Sequence, residues 1–259
     1  MPLRILHIGD IVGSPGRRIF ARLIPRLRAE WKLDAVIANA ENAAAGRGLT
    51  PTLAEELFSA GADLLTLGDH TWDQKEILPY LIREPRVIRP ANFAPDCPGK
   101  GWGKIDLPSG ARLHVLSLIG RVFMPPADCP FRTADAALQQ IRSPLVFTEI
   151  HAEATSEKIA IGRHLEGRVS SVVGTHTHVQ TSDEAILPKG TAYLTDLGMT
   201  GPKDSVLGRD VGSVLKKFIT GLPTKFEVAE NDIAMEGALI TVDPATGRAS
   251  AIQRIRERE

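Results

Sequence analysis

The sequence predicts an α/β protein, because short apolar runs alternate with segments of helical period along its first part. The runs at residues 4–9, 35–40 and 64–68 are almost continuously apolar. Strands of this kind are typical of parallel sheets that helices cover on both faces. Neither an internal repeat nor a low-complexity linker interrupts the 259 residues. We therefore expect a single domain over residues 1–259.

Two helices are predicted between these three strands. The first covers residues 14–31, with Ser14 as its N-cap and a proline in its first turn. The second begins at Thr50 and Pro51 and stops at Gly61. The resulting order of strand, helix, strand, helix and strand favours parallel pairing of the three strands.

The rest of the chain alternates less regularly between strands and loops. Further strands are predicted at residues 112–120, 145–151 and 168–176, with a proline-rich loop over residues 122–131. Three segments near the C-terminus alternate between apolar and polar residues, which predicts antiparallel strands at residues 224–230, 236–243 and 249–255.

Composition narrows the possible partners and the compartment. The 31 basic and 31 acidic residues cancel, so no overall field attracts nucleic acid or an anionic membrane, and any contact with RNA would be local. No apolar run approaches the ~18 residues of a membrane-spanning helix, and the N-terminus lacks the cleavage pattern of a secretory signal. Cys97 and Cys129 are far apart and outside any metal or redox spacing. We expect a cytoplasmic protein that does not contact a membrane.

Polar side chains follow five of the predicted strands, at the point where each strand ends. Ligands of open α/β sheets bind beyond the carboxyl ends of the strands, so these side chains should converge on one crevice. They are an acid after the first strand, an acid and an amide after the second, an acid and an imidazole after the third, and three later histidines: Asp10, Glu41, Asn42, Asp69, His70, His151, His176 and His178.

Each of these residues has a plainer explanation when it is taken alone. Asp10 can be a turn acid, the pair at 41–42 an ordinary loop start, and His151 a hydrogen-bonded core histidine. His176 and His178 are two residues apart, so on an extended backbone both side chains would face the same side. Such a pair fits either a metal site or a polar surface. All these plainer explanations would have to hold at five strand ends together, which favours a common site.

The chemistry of this set indicates metal binding. Imidazoles, carboxylates and one amide form a mixed nitrogen and oxygen set that suits divalent manganese, iron or zinc. The groups are too many for one tetrahedral ion. They suit two ions about 3.5–4 Å apart that share a bridging carboxylate, an arrangement used for phosphoester hydrolysis.

Seven motifs in this order resemble one known family over nearly the whole chain. They are HIGDIVGSPGR, NAENAAAGRGLT, TLGDHTWDQKEI, RPANF, HAEATSEK, VVGTHTHVQT and GTAYLTDLGMTGP, and they resemble the YmdB family of calcineurin-like metallophosphoesterases. The resemblance implies a four-layer α/β/β/α sandwich with a dinuclear metal centre that is often occupied by iron. It also implies activity on phosphodiesters, including 2′,3′-cyclic AMP.

The resemblance implies that one metal ion is held by Asp10, Asn42 and His178, and that Glu41 bridges to the second ion. The wider superfamily usually carries a histidine two residues after the first aspartate, and this chain has Val12 there. Asn42 would take over that coordination, as the YmdB pattern implies.

For the second ion the resemblance implies Asp69, His151 and His176 as ligands, with His70 outside the coordination shell as the proton donor to the leaving oxygen. The family normally carries asparagine where this chain has Asp69. An amide and a carboxylate oxygen can both bind a hard cation, so the ligand role survives. The added negative charge should hold metal more firmly and lower its Lewis acidity.

Three further residues are weaker candidates. Arg47 stands in a glycine-flanked loop, where it could meet a phosphate or remain solvated. Thr177 and Gln180 could support the ligand histidines through hydrogen bonds.

Two classes of function remain open on the sequence. The first is a phosphodiesterase or phosphatase that uses two divalent ions, iron before manganese or zinc, to attack a small cyclic nucleotide with a bridging hydroxide. The second is a metal-binding regulatory or RNA-associated protein with little turnover. A separate proton donor at His70 favours the enzyme, and the zero net charge weakens the RNA alternative. An amidohydrolase fits poorly, because its His-x-His pair follows the first strand. We also expect a homo-oligomer.

Overall fold

The computed structural model describes residues 1–258 and has a mixed α/β architecture. In these residues the chain forms six helices: α1 (Gly13–Glu30), α2 (Pro51–Ser59), α3 (Ile77–Arg83), α4 (Pro130–Ile141), α5 (Thr155–Leu165) and α6 (Val211–Thr220). It also forms fourteen strands: β1 (Leu3–Ile8), β2 (Asp10–Ile11), β3 (Ala35–Asn39), β4 (Leu64–Thr66), β5 (Val87–Ile88), β6 (Trp102–Asp106), β7 (Arg112–Ile119), β8 (Val146–His151), β9 (Ser171–Thr175), β10 (Ala185–Ile186), β11 (Ala192–Leu194), β12 (Met199–Pro202), β13 (Ile233–Val242) and β14 (Ala249–Arg258).

The strands form two sheets that pack against each other. The first has the order β2-β12-β13-β1-β3-β4-β5, with β14 paired to β13. The second has the order β10-β11-β9-β8-β7-β6. Side chains from both, such as Ile5 and Ile37 of the first and Val115 and Phe147 of the second, form one buried core between the sheets.

Helices cover the outer face of each sheet and complete four layers. Helices α1, α2 and α3 pack on the first sheet, around Phe20, Leu57 and Leu81. Helices α4 and α5 pack on the second sheet, around Ala134 and Ile161. The α/β/β/α sandwich implied by the resemblance is therefore confirmed.

The continuous apolar character of the first strands follows from this layering. In β1, Leu3 and Ile5 face the second sheet, whereas Leu6 and Ile8 face the helices. Successive side chains of a strand point to opposite faces, so a strand between two cores is apolar on both faces, and β1 departs from this only at Arg4 and His7. The predicted parallel pairing of β1, β3 and β4 is confirmed.

The predicted start of the second helix is confirmed, whereas the predicted start of the first helix is wrong. Thr50 caps α2, because its Oγ1 accepts a hydrogen bond from the Leu53 N–H. Ser14 is not an N-cap; its hydroxyl accepts from Arg18 instead. Helix α1 begins one residue earlier because Gly13, at φ +59°, turns the chain directly out of β2.

Two predicted segments outside the first sheet also differ. The proline-rich loop ends at Cys129, since Pro130 occupies the first turn of α4, where a missing N–H costs nothing. Residues 224–230 contribute only an isolated bridge between Val228 and Arg209. This part of the chain belongs to an excursion that leaves the first sheet after β12 and returns at β13. Among residues 1–258, the helices are all too short or too polar to cross a bilayer.

Candidate metal centre

The structure brings the eight predicted residues together at one edge of the sandwich. They follow the carboxyl ends of β1, β3 and β4 in the first sheet and of β8 and β9 in the second. Parallel strands within each sheet align these ends, and the stacking of the sheets places the two sets of loops opposite each other. The site therefore lies between the sheets.

One group of donor atoms surrounds His151. Its Nε2 lies 2.8 Å from Asp69 Oδ1 and 3.0 Å from His176 Nδ1. His176 Nδ1 is 3.1 Å from the same Asp69 oxygen. Together with Glu41, these residues offer four ligand atoms within 4.8 Å of one another, a set that could hold a cation.

A second group lies on the other side of Glu41. The side-chain amide nitrogen of Asn42 is 3.4 Å from both Asp10 Oδ1 and His178 Nε2, and those two atoms are 3.7 Å apart. For Asn42 to bind a cation here, its amide oxygen must replace the nitrogen, a half-turn about the Cβ–Cγ bond. The three side chains otherwise converge as a ligand set should.

Glu41 joins the two groups. Its Oε1 lies 3.0 Å from His151 Nε2 and 3.2 Å from the Asn42 amide nitrogen, so one oxygen faces both groups. Its Oε2 accepts a hydrogen bond from the His70 N–H at 3.1 Å. A side chain at Gly68 would collide with both Glu41 and His151, so only glycine allows this approach.

A buried acid that sequence reasoning missed orients His151. Thr175 Oγ1 lies 2.9 Å from His151 Nδ1 and donates to Glu149 Oε1 at 3.1 Å. Glu149 also accepts from Asn39 and from Thr66, each at 2.7 Å. An acid inside the apolar run VFTEIH was the available signal, because a buried carboxylate needs partners.

The two other histidines sit on a turn, not on extended backbone. Strand β9 ends at Thr175, and His176 and His178 have φ angles of +95° and +61°. The predicted extended backbone of the His-x-His pair is therefore wrong, although both histidines line the same cleft. Non-glycine residues with positive φ cost free energy and need outside support.

That support comes from Asp196, which follows β11 and was also missed. Asp196 Oδ2 accepts from the Thr177 hydroxyl at 2.6 Å and from the Thr177 N–H at 3.2 Å. Lys158, fully buried like Asp196, donates to the same oxygen at 2.6 Å. Thr177 thus holds the histidine turn through Asp196, and not through a bond to an imidazole. Gln180 does not support the histidines either, since its amide donates to three backbone carbonyls.

Charges within the cluster shift several pKa values. Burial lowers the pKa of His178 to about 4, so its imidazole is neutral and free to act as a ligand. Burial also raises the pKa of Asp10 well above its usual range, and nearby Glu41 adds to this. Burial alone would lower the pKa of His151, yet Glu41 and Asp69 outweigh it and raise that pKa well above its usual value. A cation bound in the cluster would compete with protons for Asp10 and His151.

His70 stands beside the ligand groups. Its Nδ1 lies 3.0 Å from Asp73 Oδ2 and 3.7 Å from Asp69 Oδ2. Asp73 also pairs with Arg47, which is mostly exposed and is not among the residues that line the cleft. The ring of His70 lines the cleft with its Nδ1 held by Asp73, which leaves Nε2 for a ligand.

The cleft above the cluster has a volume of about 270 Å³. Besides the histidines it is lined by three residues that the sequence did not indicate: Glu153, Leu207 and Arg209. Glu153 Oε2 is 3.2 Å from His176 Nε2, and the Arg209 guanidinium donates to the carbonyls of Ala45 and Gly46. A larger groove of about 940 Å³ along β6 includes none of the eight predicted residues.

A family model described as "YmdB-like protein" matches residues 6–255. The chain belongs to the YmdB-like family. The resemblance of the seven motifs to this family is thereby confirmed. A curated relative from Bacillus subtilis, named 2′,3′-cyclic-nucleotide 2′-phosphodiesterase, is 49% identical to this YmdB-like chain over 98% of it and 96% of the relative.

Two crystal structures resemble the YmdB-like chain over its whole length. A hypothetical protein from Thermus thermophilus has a TM-score of 0.94 and 42% identity, with 99% of this chain and 100% of that one covered. A phosphatase from Mycoplasma pneumoniae has a TM-score of 0.94 and 33% identity, with 100% and 94% covered. Both share the fold of the YmdB-like chain.

Proposed function

We propose that the chain is a dinuclear metal-dependent phosphodiesterase or phosphatase that hydrolyses cyclic nucleotides such as 2′,3′-cyclic AMP. The observation that carries this proposal is the position of Glu41 Oε1, which faces one donor group on each side. Hydrolysis of phosphoesters agrees with the names of the relatives from Bacillus and Mycoplasma.

The residues present fit two divalent cations. Asp69, His151 and His176 would hold one, and Asp10, Asn42 and His178 the other, with Glu41 shared between them. Such ions polarise phosphoryl oxygens and make water a nucleophile at neutral pH. The mixed set of nitrogen and oxygen donors suits iron, with manganese or zinc as alternatives.

His70 would supply the proton for the leaving oxygen. Its Nδ1 lies 3.0 Å from Asp73 Oδ2, which fixes the ring and leaves Nε2 for a substrate in the cleft that His70 lines. An imidazole within reach of the leaving oxygen can act as its general acid. His70 contacts Glu41 only through its backbone N–H, which leaves its ring outside both donor groups.

The cleft favours a small substrate. A volume of about 270 Å³ admits a cyclic phosphate with its ribose and leaves a base near the opening. Leu207, Arg209 and Glu153 line the cleft, and Arg209 is held in place by the loop that follows β3. We propose that these residues border the nucleoside. We also propose that residues 1–259 form one domain and that the enzyme is cytoplasmic.

The proposal is tested by metal analysis of the purified protein together with a substrate panel. The panel contains 2′,3′-cyclic, 3′,5′-cyclic and linear monoester nucleotides, each with Mn²⁺ or Fe²⁺ supplied. We expect turnover of a 2′,3′-cyclic nucleotide that disappears on chelation. Bound metal without hydrolysis of any compound in the panel would contradict the proposal and favour a regulatory, metal-binding protein.

A further inference from the structure

A second cavity adjoins the cleft above the donor groups. Its volume is about 210 Å³, and His178 and Leu207 line it as well as the cleft. His178 Nδ1 donates to the Leu207 carbonyl at 3.1 Å, so one hydrogen-bonded pair of residues forms the boundary that the two cavities share. A molecule bound in the cleft can therefore extend past this pair into the second cavity.

Leu207 is presented by a tight turn with a strained backbone. The Val206 N–H donates to the Arg209 carbonyl, and the Arg209 N–H donates to the Val206 carbonyl, so Leu207 and Gly208 are the two central residues of the turn. Their φ angles are +52° and +89°. A positive φ costs a leucine free energy, and residues held in this way cluster at active sites and ligand clamps. The strain indicates that the position of Leu207 serves a function.

Two exposed apolar side chains border the second cavity. Val179 is 60% exposed and Leu207 is 49% exposed, and both line this cavity. The cleft itself offers little other apolar surface, since Val12 is only 1% exposed there. A ligand in the second cavity would cover Val179 and Leu207 and gain the free energy of burying them.

The second cavity also contains hydrogen-bond donors. Glu236 is buried and accepts from Lys203 Nζ and from Arg256 Nε. The terminal nitrogens of Arg256 have no partner among residues 1–258. Lys203 also donates to the Met199 carbonyl, which leaves it a third hydrogen. Both cations therefore retain donors for a ligand.

We propose that the second cavity is the nucleobase subsite of the hydrolase, an inference that rests on the proposed function. The ribose and the cyclic phosphate occupy the cleft, and the base extends past Leu207. One face of the base covers Leu207 and Val179, while its ring nitrogens or carbonyl oxygens accept hydrogen bonds from Arg256 and Lys203. A second phosphate would also suit the two cations, but it would leave both apolar side chains uncovered.

The subsite is tested by comparing a substrate that has a base with one that lacks it. The two compounds are 2′,3′-cyclic AMP and 1-O-methylribose 2,3-cyclic phosphate, and the readout is the ratio of their kcat/KM values with Mn²⁺ supplied. We expect the wild type to prefer the nucleotide. In Arg256→Met this ratio should fall by about tenfold, because the variant loses a hydrogen bond from a charged donor.

Arg258→Met is the matched control. Arg256 and Arg258 both lie on β14, are 55% and 57% exposed, and are each paired with an acid. Only Arg256 lines the second cavity, so the control should keep the wild-type ratio. If Arg256→Met does not fold by circular dichroism, Leu207→Ala takes its place, since it removes apolar surface and keeps both charges.

A binding measurement separates the subsite from the proposed function. Adenosine has no phosphoester, so its affinity, measured by isothermal titration calorimetry, does not depend on turnover. We expect adenosine to bind Arg256→Met about tenfold more weakly than the wild type. Weaker binding of this kind in a protein that hydrolyses neither cyclic phosphate would support the subsite and contradict the proposed function.

Two results would overturn the subsite. The first is hydrolysis of both cyclic phosphates by the wild type with equal kcat/KM values, which would leave the proposed function standing. The second is an adenosine affinity that Arg256→Met and Leu207→Ala both leave unchanged.

Discussion

His151 Nδ1 lies 2.9 Å from Thr175 Oγ1 in the interior of the site. The same hydroxyl donates to Glu149, whose pKa burial would raise but hydrogen bonds from His7 and Thr66 lower. An ionised carboxylate can only accept, so the Thr175 proton points to Glu149 and the Thr175 lone pair accepts from His151 Nδ1–H. When the ring is neutral, as a metal ligand must be, its Nε2 carries no proton, and this is the atom that faces Glu41 and Asp69.

Removing the Thr175 hydroxyl should weaken metal binding without removing a ligand. Thr175→Val keeps the shape of the side chain but releases the tautomer of His151, and we expect a loss of about 10–100-fold in Mn²⁺ affinity. Isothermal titration calorimetry measures it. Thr148→Val is the matched control, since Thr148 Oγ1 on β8 is buried without a hydrogen-bond partner. Equal Mn²⁺ affinity in both variants would show that the hydrogen bonds from His151 through Thr175 to Glu149 do not orient the His151 ring.

Replacing Asp69 with asparagine should lower metal affinity and shift activity to lower pH. The wild-type cluster has three carboxylates, from Asp10, Glu41 and Asp69, and the variant keeps two. Less anionic charge leaves the cations stronger Lewis acids, so the pKa of the water that they activate falls. Mn²⁺ affinity and the pH dependence of kcat/KM are measured beside Asp106→Asn, which removes an exposed charge far from the cleft. Superimposable pH profiles would contradict this account of Asp69.

His70→Ala should reduce turnover and leave metal content intact. General acids contribute typically 10²–10⁴-fold, so we expect a loss of about that size in kcat. His176→Ala serves as the comparison, because its Nδ1 belongs to the donor group around His151 and its loss should lower metal content. Metal analysis and steady-state kinetics separate the two roles. If His70→Ala loses as much metal as His176→Ala, His70 is a ligand.

Metal uptake should release protons at neutral pH. The pKa of His151 is raised above its usual value, so without a cation we expect its ring to carry the second proton of an imidazolium at pH 7. The pKa of His178 is about 4, so its ring is already neutral and releases no proton when metal binds. A cation needs neutral imidazole, so affinity should fall as pH falls. Calorimetry in two buffers with different ionisation enthalpies counts the protons. Heats that do not depend on the buffer would exclude a protonated His151.

The positions of the site residues were predictable from the sequence, whereas the backbone that holds them was not. Asp10, Glu41 and Asp69 each follow an apolar run, and parallel strands bring such ends to one edge. His176 and His178 were expected on extended backbone, because nothing in GTHTHVQT indicates that β9 stops at Thr175. Their left-handed conformation depends on Asp196, a residue separated from them in sequence and placed beside them by the pairing of β11 with β9.

Long-range contacts explain the other differences as well. Ser14 has the residue type of an N-cap, yet Val12 N is bonded to Thr200 O in β12, which fixes where the chain turns into α1. Arg209 enters the cleft from a segment more than 150 residues beyond the loop it contacts. Local propensity and periodicity carry no information about such tertiary pairs.

The central claim is that the cluster holds two cations that share Glu41. Anomalous diffraction from crystals grown with Mn²⁺, recorded at the manganese absorption edge, tests it most directly. The account predicts two peaks, one among Asp69, His151 and His176 and the other among Asp10, Asn42 and His178. A single peak, or manganese bound away from Glu41, would contradict it.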